Sequence, residues 1–292
     1  MRRRVSVRLF LAATVVLLTG IAGAQADPTE ARGKEIYKTH CLECHGESGA
    51  GDGDKAKRLG FRPRDFTLGS FKCRCTPSGA LPSDDDLMRV VARGLPGTSM
   101  RGFEKLVAES DRRAVVEYLK SLSPAFERPI PDCIEIPEPI PASSETRSEG
   151  RQVYRLLRCW SCHGLEGKGD GPAAKGLVDD WGDRIRVYNF TRPRRYKCGG
   201  SESDLFRLLH TGMSGSPMPS FTTALGFAGE AVGDLTALAD ALGHDAVAEL
   251  STYVGSQPDG AALEAMTEDD RHQIANRRTW ALVHYLESLV QR

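Results

Sequence analysis

The sequence has 292 residues, room for about two domains of ordinary size, and its 39 basic and 39 acidic side chains cancel to a formal net charge of zero. That balance argues against nucleic-acid binding through bulk positive charge. With 40% hydrophobic and 27% charged residues, the chain is neither disordered nor polytopic in a membrane.

The chain opens Met1-Arg2-Arg3-Arg4, continues through an apolar run from about Leu9 to Ile21, and reaches Ala22-Gly23-Ala24-Gln25-Ala26 before Asp27. This is the layout of a secretory signal, so residues 1–26 are expected to be cleaved on export to the periplasm, with an uncleaved N-terminal anchor as the alternative. Cleavage takes away Arg2, Arg3, Arg4 and Arg8 and no acid, leaving a net charge of −4.

A helical segment, Gly33-Lys34-Glu35-Ile36-Tyr37, leads into Cys41-Leu42-Glu43-Cys44-His45. Cys-X-X-Cys-His is the attachment signature for c-type haem. Two thiols three positions apart on one helical turn can add to the two vinyl groups of one haem, and the adjacent His then reaches the iron. A zinc half-site or a redox disulfide would share the two cysteines, but neither the second paired ligand set nor the βαβ context of those chemistries is evident. A Gly-rich turn, Gly51-Asp52-Gly53-Asp54, follows, then Asp65-Phe66-Thr67, Phe71-Lys72-Cys73, a helix carrying Met88, and a Gly/Pro-rich loop ending in Met100. An amphipathic helix over Val115–Leu122 closes the unit, which is expected to span residues 27–122.

Residues 123–149 contain Pro124, Pro129, Pro131, Pro137, Pro139 and Pro141, a composition that suits extended backbone and resists helix. They read as the boundary between domains.

The pattern then returns over 150–292. Gly150-Arg151-Gln152-Val153-Tyr154 precedes Cys159-Trp160-Ser161-Cys162-His163, and Gly169-Asp170-Gly171-Pro172, Asn189-Phe190-Thr191 and Tyr196-Lys197-Cys198 follow in the same order as before. Leu282–Leu289 repeats the closing helix. Tyr118 follows Met100 by 18 positions, whereas Tyr285 follows Met218 by 67, so the second copy holds an insertion over about 221–270. That segment is acidic, rich in Ala and Leu, and expected to be helical. Arg184, Arg186, Arg192, Arg194, Arg195 and Lys197 form a basic stretch that could pair with the acidic segment or with haem propionates.

The two copies resemble class I cytochrome c domains in tandem, as in exported dihaem cytochromes c. The resemblance implies an all-α fold, with two haem domains joined by the Pro-rich linker and two covalently attached c-type haems. It also implies one-electron transfer between redox protein partners whose identity the sequence does not give, a membrane respiratory complex or a dehydrogenase being the candidates. In that family the entering and closing helices cross through small and aromatic residues, and Gly33, Tyr37 and Tyr118, then Gly150, Tyr154 and Tyr285, occupy the matching positions. Competing readings are a thiosulfate dehydrogenase-like or peroxidase-like dihaem enzyme, and the cytochrome subunit of a dehydrogenase complex.

A haem iron held by His can take Met on its other face, which raises the reduction potential. His45 to Met100 and His163 to Met218 are both separations of 55 positions, whereas Met213 would give 50. The expected iron ligands are therefore His45 with Met100 and His163 with Met218, and Met88 and Met266 are expected to pack. His210 is an alternative ligand in the second copy. Two departures from the family pattern stand out: Arg101 follows Met100 where Pro219 follows Met218, and Asp54 stands where Pro172 marks the loop that offers a carbonyl to the proximal His.

Four cysteines remain, Cys73, Cys75, Cys133 and Cys198, and three disulfide connectivities are open. The expected arrangement joins one of Cys73 and Cys75 to Cys198 across the copies and the other to Cys133. The alternative makes one of them a thiolate ligand to iron.

Overall fold

The computed structural model describes residues 28–226 and 238–291. The expected signal at 1–26 and part of the expected insertion, residues 227–237, lie outside them. Among the described residues there are twelve α-helices and no strand, so the fold is all-α.

Each copy is organised by one helix crossing. In the first, α1 (Pro28–His40) crosses α4 (Glu109–Ser121). A Cβ at Gly33 would lie 1.9 Å from the Ala114 carbonyl oxygen and 2.9 Å from the Tyr118 Cβ, so only Gly permits this approach. Tyr37 and Tyr118 then meet edge to face at 5.1 Å. In the second copy α5 (Ser144–Leu156) crosses α12 (Glu268–Ser288) in the same way. A Cβ at Gly150 would lie 1.9 Å from the Ala281 oxygen and 2.8 Å from the Tyr285 Cβ, and Tyr154 and Tyr285 meet at 5.4 Å.

Helix α5 starts at Ser144, inside the range read as linker. Ser143 Oγ accepts from the Thr146 amide and Thr146 Oγ1 accepts from the Ser143 amide, a reciprocal cap that begins the helix as soon as the prolines end. The one-turn helices α2 (Leu42–His45) and α6 (Trp160–His163) carry the two motifs. Helices α3 (Asp84–Arg93) and α7 (Glu202–Thr211) each open on a capping box, from Ser83 with Asp86 and from Ser201 with Asp204, and each leads into a methionine loop.

The described part of the insertion is helical: α8 (Thr222–Gly226), α9 (Ala239–Leu242), α10 (His244–Gly255) and α11 (Gly260–Ala265). Leu225, Leu250 and Leu263 are fully buried. Buried Arg278 of α12 donates to the Leu225 carbonyl at 2.8 Å and to Gln257 at 3.0 Å, which ties the insertion to the core helix. Its acid Glu249 pairs with Arg155 at 2.8 Å and Arg151 at 3.5 Å on α5, while Arg194 of the basic stretch pairs with Glu287 on α12.

The copies are joined covalently. Cys73 bridges to Cys198, and Cys75 bridges to Cys133 in the Pro-rich segment, one of the two forms of the expected arrangement. Arg74, between the two first-copy cysteines, is only 3% exposed. Its guanidinium donates to the Thr211 carbonyl and to Ser214 Oγ in the second copy, and to the Phe71 and Pro77 carbonyls in its own. Thr211 ends α7, where free carbonyls and the negative end of the helix dipole favour a cation. Arg74→Met is expected to leave these carbonyls unpaired and to destabilise the joined molecule by about 2–3 kcal/mol, read as an earlier midpoint in urea with both disulfides intact.

Candidate functional site

Both motifs fold into a single turn by the same backbone bonds. The His45 and Cys44 amides donate to the Cys41 carbonyl at 2.9 and 3.1 Å, and the His163 and Cys162 amides donate to Cys159 at 2.8 and 3.3 Å. The turns stop at Gly46 and Gly164, whose φ values of 78° and 80° suit glycine. Their carbonyls accept from the buried hydroxyls of Tyr37 at 2.7 Å and Tyr154 at 2.6 Å, so each helix crossing reaches directly to its motif.

The two imidazoles are oriented alike. His45 Nδ1 lies 3.1 Å from the Arg64 carbonyl, and His163 Nδ1 lies 3.1 Å from that of Tyr188. A carbonyl only accepts, so Nδ1 carries the proton and the Nε2 lone pair is left to face outward. Phe66 and Phe190 pack on these rings with centroids 4.5 Å away. Burial, first among the causes, pulls both histidines below the usual imidazole range and so favours the neutral ring a metal requires. The carbonyls thus come from Arg64 and Tyr188, not from the loop of Asp54 and Pro172. The departure at Asp54 therefore does not distinguish the copies in this respect.

Cys41, Cys44, Cys159 and Cys162 are free thiols. Burial pushes Cys41 up to about 11 and Cys159 up to about 12.

The methionine loops also match bond for bond. The Leu95 amide donates to the Met100 carbonyl at 2.9 Å and the Met213 amide to the Met218 carbonyl at 3.0 Å. Thr98 Oγ1 and Ser216 Oγ each accept from the following methionine's amide, at 3.1 and 3.4 Å. Met213 thus occupies the place of Leu95, and Met218 that of Met100. In the first copy Met100 lines the same cavity, about 360 Å³, as Cys41, Cys44, His45, Phe66 and Leu87. In the second, Met218, Cys159 and Tyr188 each pack against the buried core of that copy.

The remaining candidates take other positions. His210 stacks on Phe206 at 4.7 Å, its Nε2 lies 3.0 Å from Thr279 Oγ1, and burial lowers its pKa to about 4. It reads as a packed core histidine. Cys73, Cys75, Cys133 and Cys198 are all consumed in disulfides, so none is a free thiolate.

The donor set of each copy fits a covalently attached haem: two thiols on one turn, an imidazole whose free Nε2 faces outward, and a thioether on the matching loop. The buried tyrosine hydroxyls and the two carbonyl acceptors had no sequence signature of their own. The repeated Asp/Asn-Phe-Thr marks the phenylalanine that packs on each histidine. Asp65 and Asn189 each accept from the amide two residues on, at 2.9 Å, and this turn sets the phenylalanine against the histidine.

Comparison with known proteins agrees with the repeat. The cytochrome c family model matches residues 30–123 and again 148–256. The second match ends at residue 256, before α12. Over 112 residues the chain is 31% identical to cytochrome c55X of Paracoccus denitrificans, covering 37% of this chain and 91% of the relative. A chain of the Kuenenia stuttgartiensis reducing HAO-like protein complex Kustc0457/Kustc0458 superposes with a TM-score of 0.69 at 34% identity, covering 89% of this chain and 96% of that one. With two matched segments, a matched donor set in each, and a solved relative along nearly the whole length, the chain belongs to the cytochrome c family of electron-transfer proteins with covalently bound haem.

Proposed function

We propose that the chain is an exported dihaem electron-transfer protein. Cys41, Cys44, His45 and Met100 would hold one haem, and Cys159, Cys162, His163 and Met218 would hold the other. Each iron supplies one-electron chemistry. The chain's own groups orient the imidazoles, hold the thioethers on short bonded loops, and keep the site apolar.

The observation that carries this reading is the agreement between the two sites, from the Nδ1 to carbonyl bonds to the methionine-loop amides. A site built for substrate would leave one face of its iron without a donor, and both copies bring a thioether loop instead. Two disulfides suit an oxidising compartment such as the periplasm. No described helix is long and apolar enough to cross a membrane. The likeness to a chain taken from an HAO-like complex supports a larger redox protein as partner.

Pyridine haemochrome analysis of the mature protein should give two haems per chain. Near-infrared and magnetic circular dichroism spectra of the oxidised form should show His/Met ligation at both. A single haem, or a high-spin or thiolate-ligated one, would overturn the reading.

A further inference from the structure

The second copy has six residues more than the first between the Gly-rich turn and the phenylalanine that stacks on the histidine: Asp52 to Asp65 is 13 positions and Asp170 to Asn189 is 19. The extra residues form a tight loop. It is closed by the pairing of Val178 with Arg184 and by Asp179 Oδ1, which accepts from the Trp181 and Asp183 amides at 3.0 Å. Asp179, Trp181 and Asp183 line the cavity of the first copy, together with Lys197.

Two half-buried lysines meet there, Lys72 beside bridging Cys73 and Lys197 beside bridging Cys198. The third cation is Arg64. Its guanidinium stacks on Trp181, 4.5 Å from the ring centre, and a Cβ at Gly215 of the second copy's methionine loop would fall 2.8 Å from its Nη1. Lys197 in turn lies 5.3 Å from the ring centre of Phe61 in the first copy. Arg64 Nη1 is buried with no hydrogen-bond partner. Asp179 and Asp180 act on Arg64 and Lys72 through space, without a hydrogen bond to either.

Cations gathered and dehydrated without a direct anionic partner are unfavourable, and the group this cavity fits carries two anions. A haem tethered through its vinyl groups to Cys41 and Cys44 presents its two propionate carboxylates at the opposite edge. We propose that Arg64, Lys72 and Lys197 form a propionate-binding subsite for the first haem, assembled from both copies and walled by the 178–184 loop. The inference rests on the dihaem reading. It makes the first haem site incomplete without the second domain, and it has no mirror image, because Tyr188 stands where the first copy has Arg64. Cations at the propionates disfavour the extra positive charge of ferric iron and so raise the potential of that haem.

The test uses the full mature holoprotein in a potentiometric titration, after haem counting has settled the dihaem reading on its own. Lys197→Gln should move one of the two redox waves to lower potential, shifting its reduction equilibrium about tenfold. It should be the same wave that a change at Met100 moves. Lys72→Gln should move that wave in the same direction, and Lys197→Arg should restore it. The resonance Raman propionate-bending band should change in Lys197→Gln. Unmoved waves, or a shift in the wave that belongs to Met218, would overturn the subsite while leaving the dihaem reading standing. A single haem per chain would overturn the dihaem reading instead. The subsite would then stand or fall on whether Lys197→Gln moves the wave of the haem held at Cys41 and Cys44.

Discussion

Gly150→Ala is expected to abolish the second haem domain as a folded unit while the first survives. The new methyl would sit 1.9 Å from the Ala281 carbonyl oxygen and 2.8 Å from the Tyr285 Cβ. Neither atom can swing aside, since one is helix backbone and the other is fixed to it. Helices α5 and α12 must therefore separate by more than an ångström. Separation breaks the Tyr154 to Tyr285 contact and pulls the Tyr154 hydroxyl from the Gly164 carbonyl, the bond that anchors the turn carrying His163. The cost is about 3 kcal/mol or more, the upper end for overpacking. Calorimetry of the holoprotein should lose one of two transitions, with the haem absorbance of that copy lost alongside. Gly33→Ala should do the same to the first copy through Ala114. A melting profile like that of the parent protein would mean that the helices do not cross at these glycines.

Met100→Leu is expected to lower the potential of one haem by on the order of 100 mV while leaving the fold nearly unchanged. Leu and Met have similar volumes, so the packing penalty stays below about 1.5 kcal/mol. What is lost is the thioether, which favours ferrous iron. Met218→Leu should lower the other wave. Met213→Leu is the discriminating control: Met213 donates its amide to the Met218 carbonyl, as Leu95 does to Met100, so its replacement should leave both waves in place. Movement of a wave by Met213→Leu would exchange the roles of the two methionines.

Much of this arrangement was legible as repetition. The two motifs, the equal spacing to Met100 and Met218, the glycine and tyrosine pairs at the crossings and the division of the spare cysteines all follow from side chains whose chemistry demands a position. What repetition could not show was backbone. Arg64 and Tyr188 are unlike residues, yet each turns a carbonyl toward a histidine, so no residue-type comparison aligns them. Composition also misplaced one boundary, because six prolines suggest extended chain up to the next glycine while the Ser143 and Thr146 cap starts α5 at Ser144. The basic stretch was legible as charge but not as destination. Arg194 turns to Glu287, and Lys197 turns to the other copy's cavity. Arg74 carried no signal at all, since nothing near it in sequence announces the α7 terminus, more than a hundred positions away, that it caps.

The Cys73–Cys198 bridge joins equivalent positions of the two copies. It is the bond that a single-copy protein would make with its twin on a twofold axis, where every contact off the axis must occur twice or not at all. Fusion into one chain removes that obligation. The counterpart of Arg74 is Gly199, and that of Cys75 is Gly200, so the arginine pin and the second disulfide each exist once. A covalent homodimer would be bound to hold two haems in identical surroundings. The joined chain keeps one bond between equivalent positions while the residues beside it differ from copy to copy.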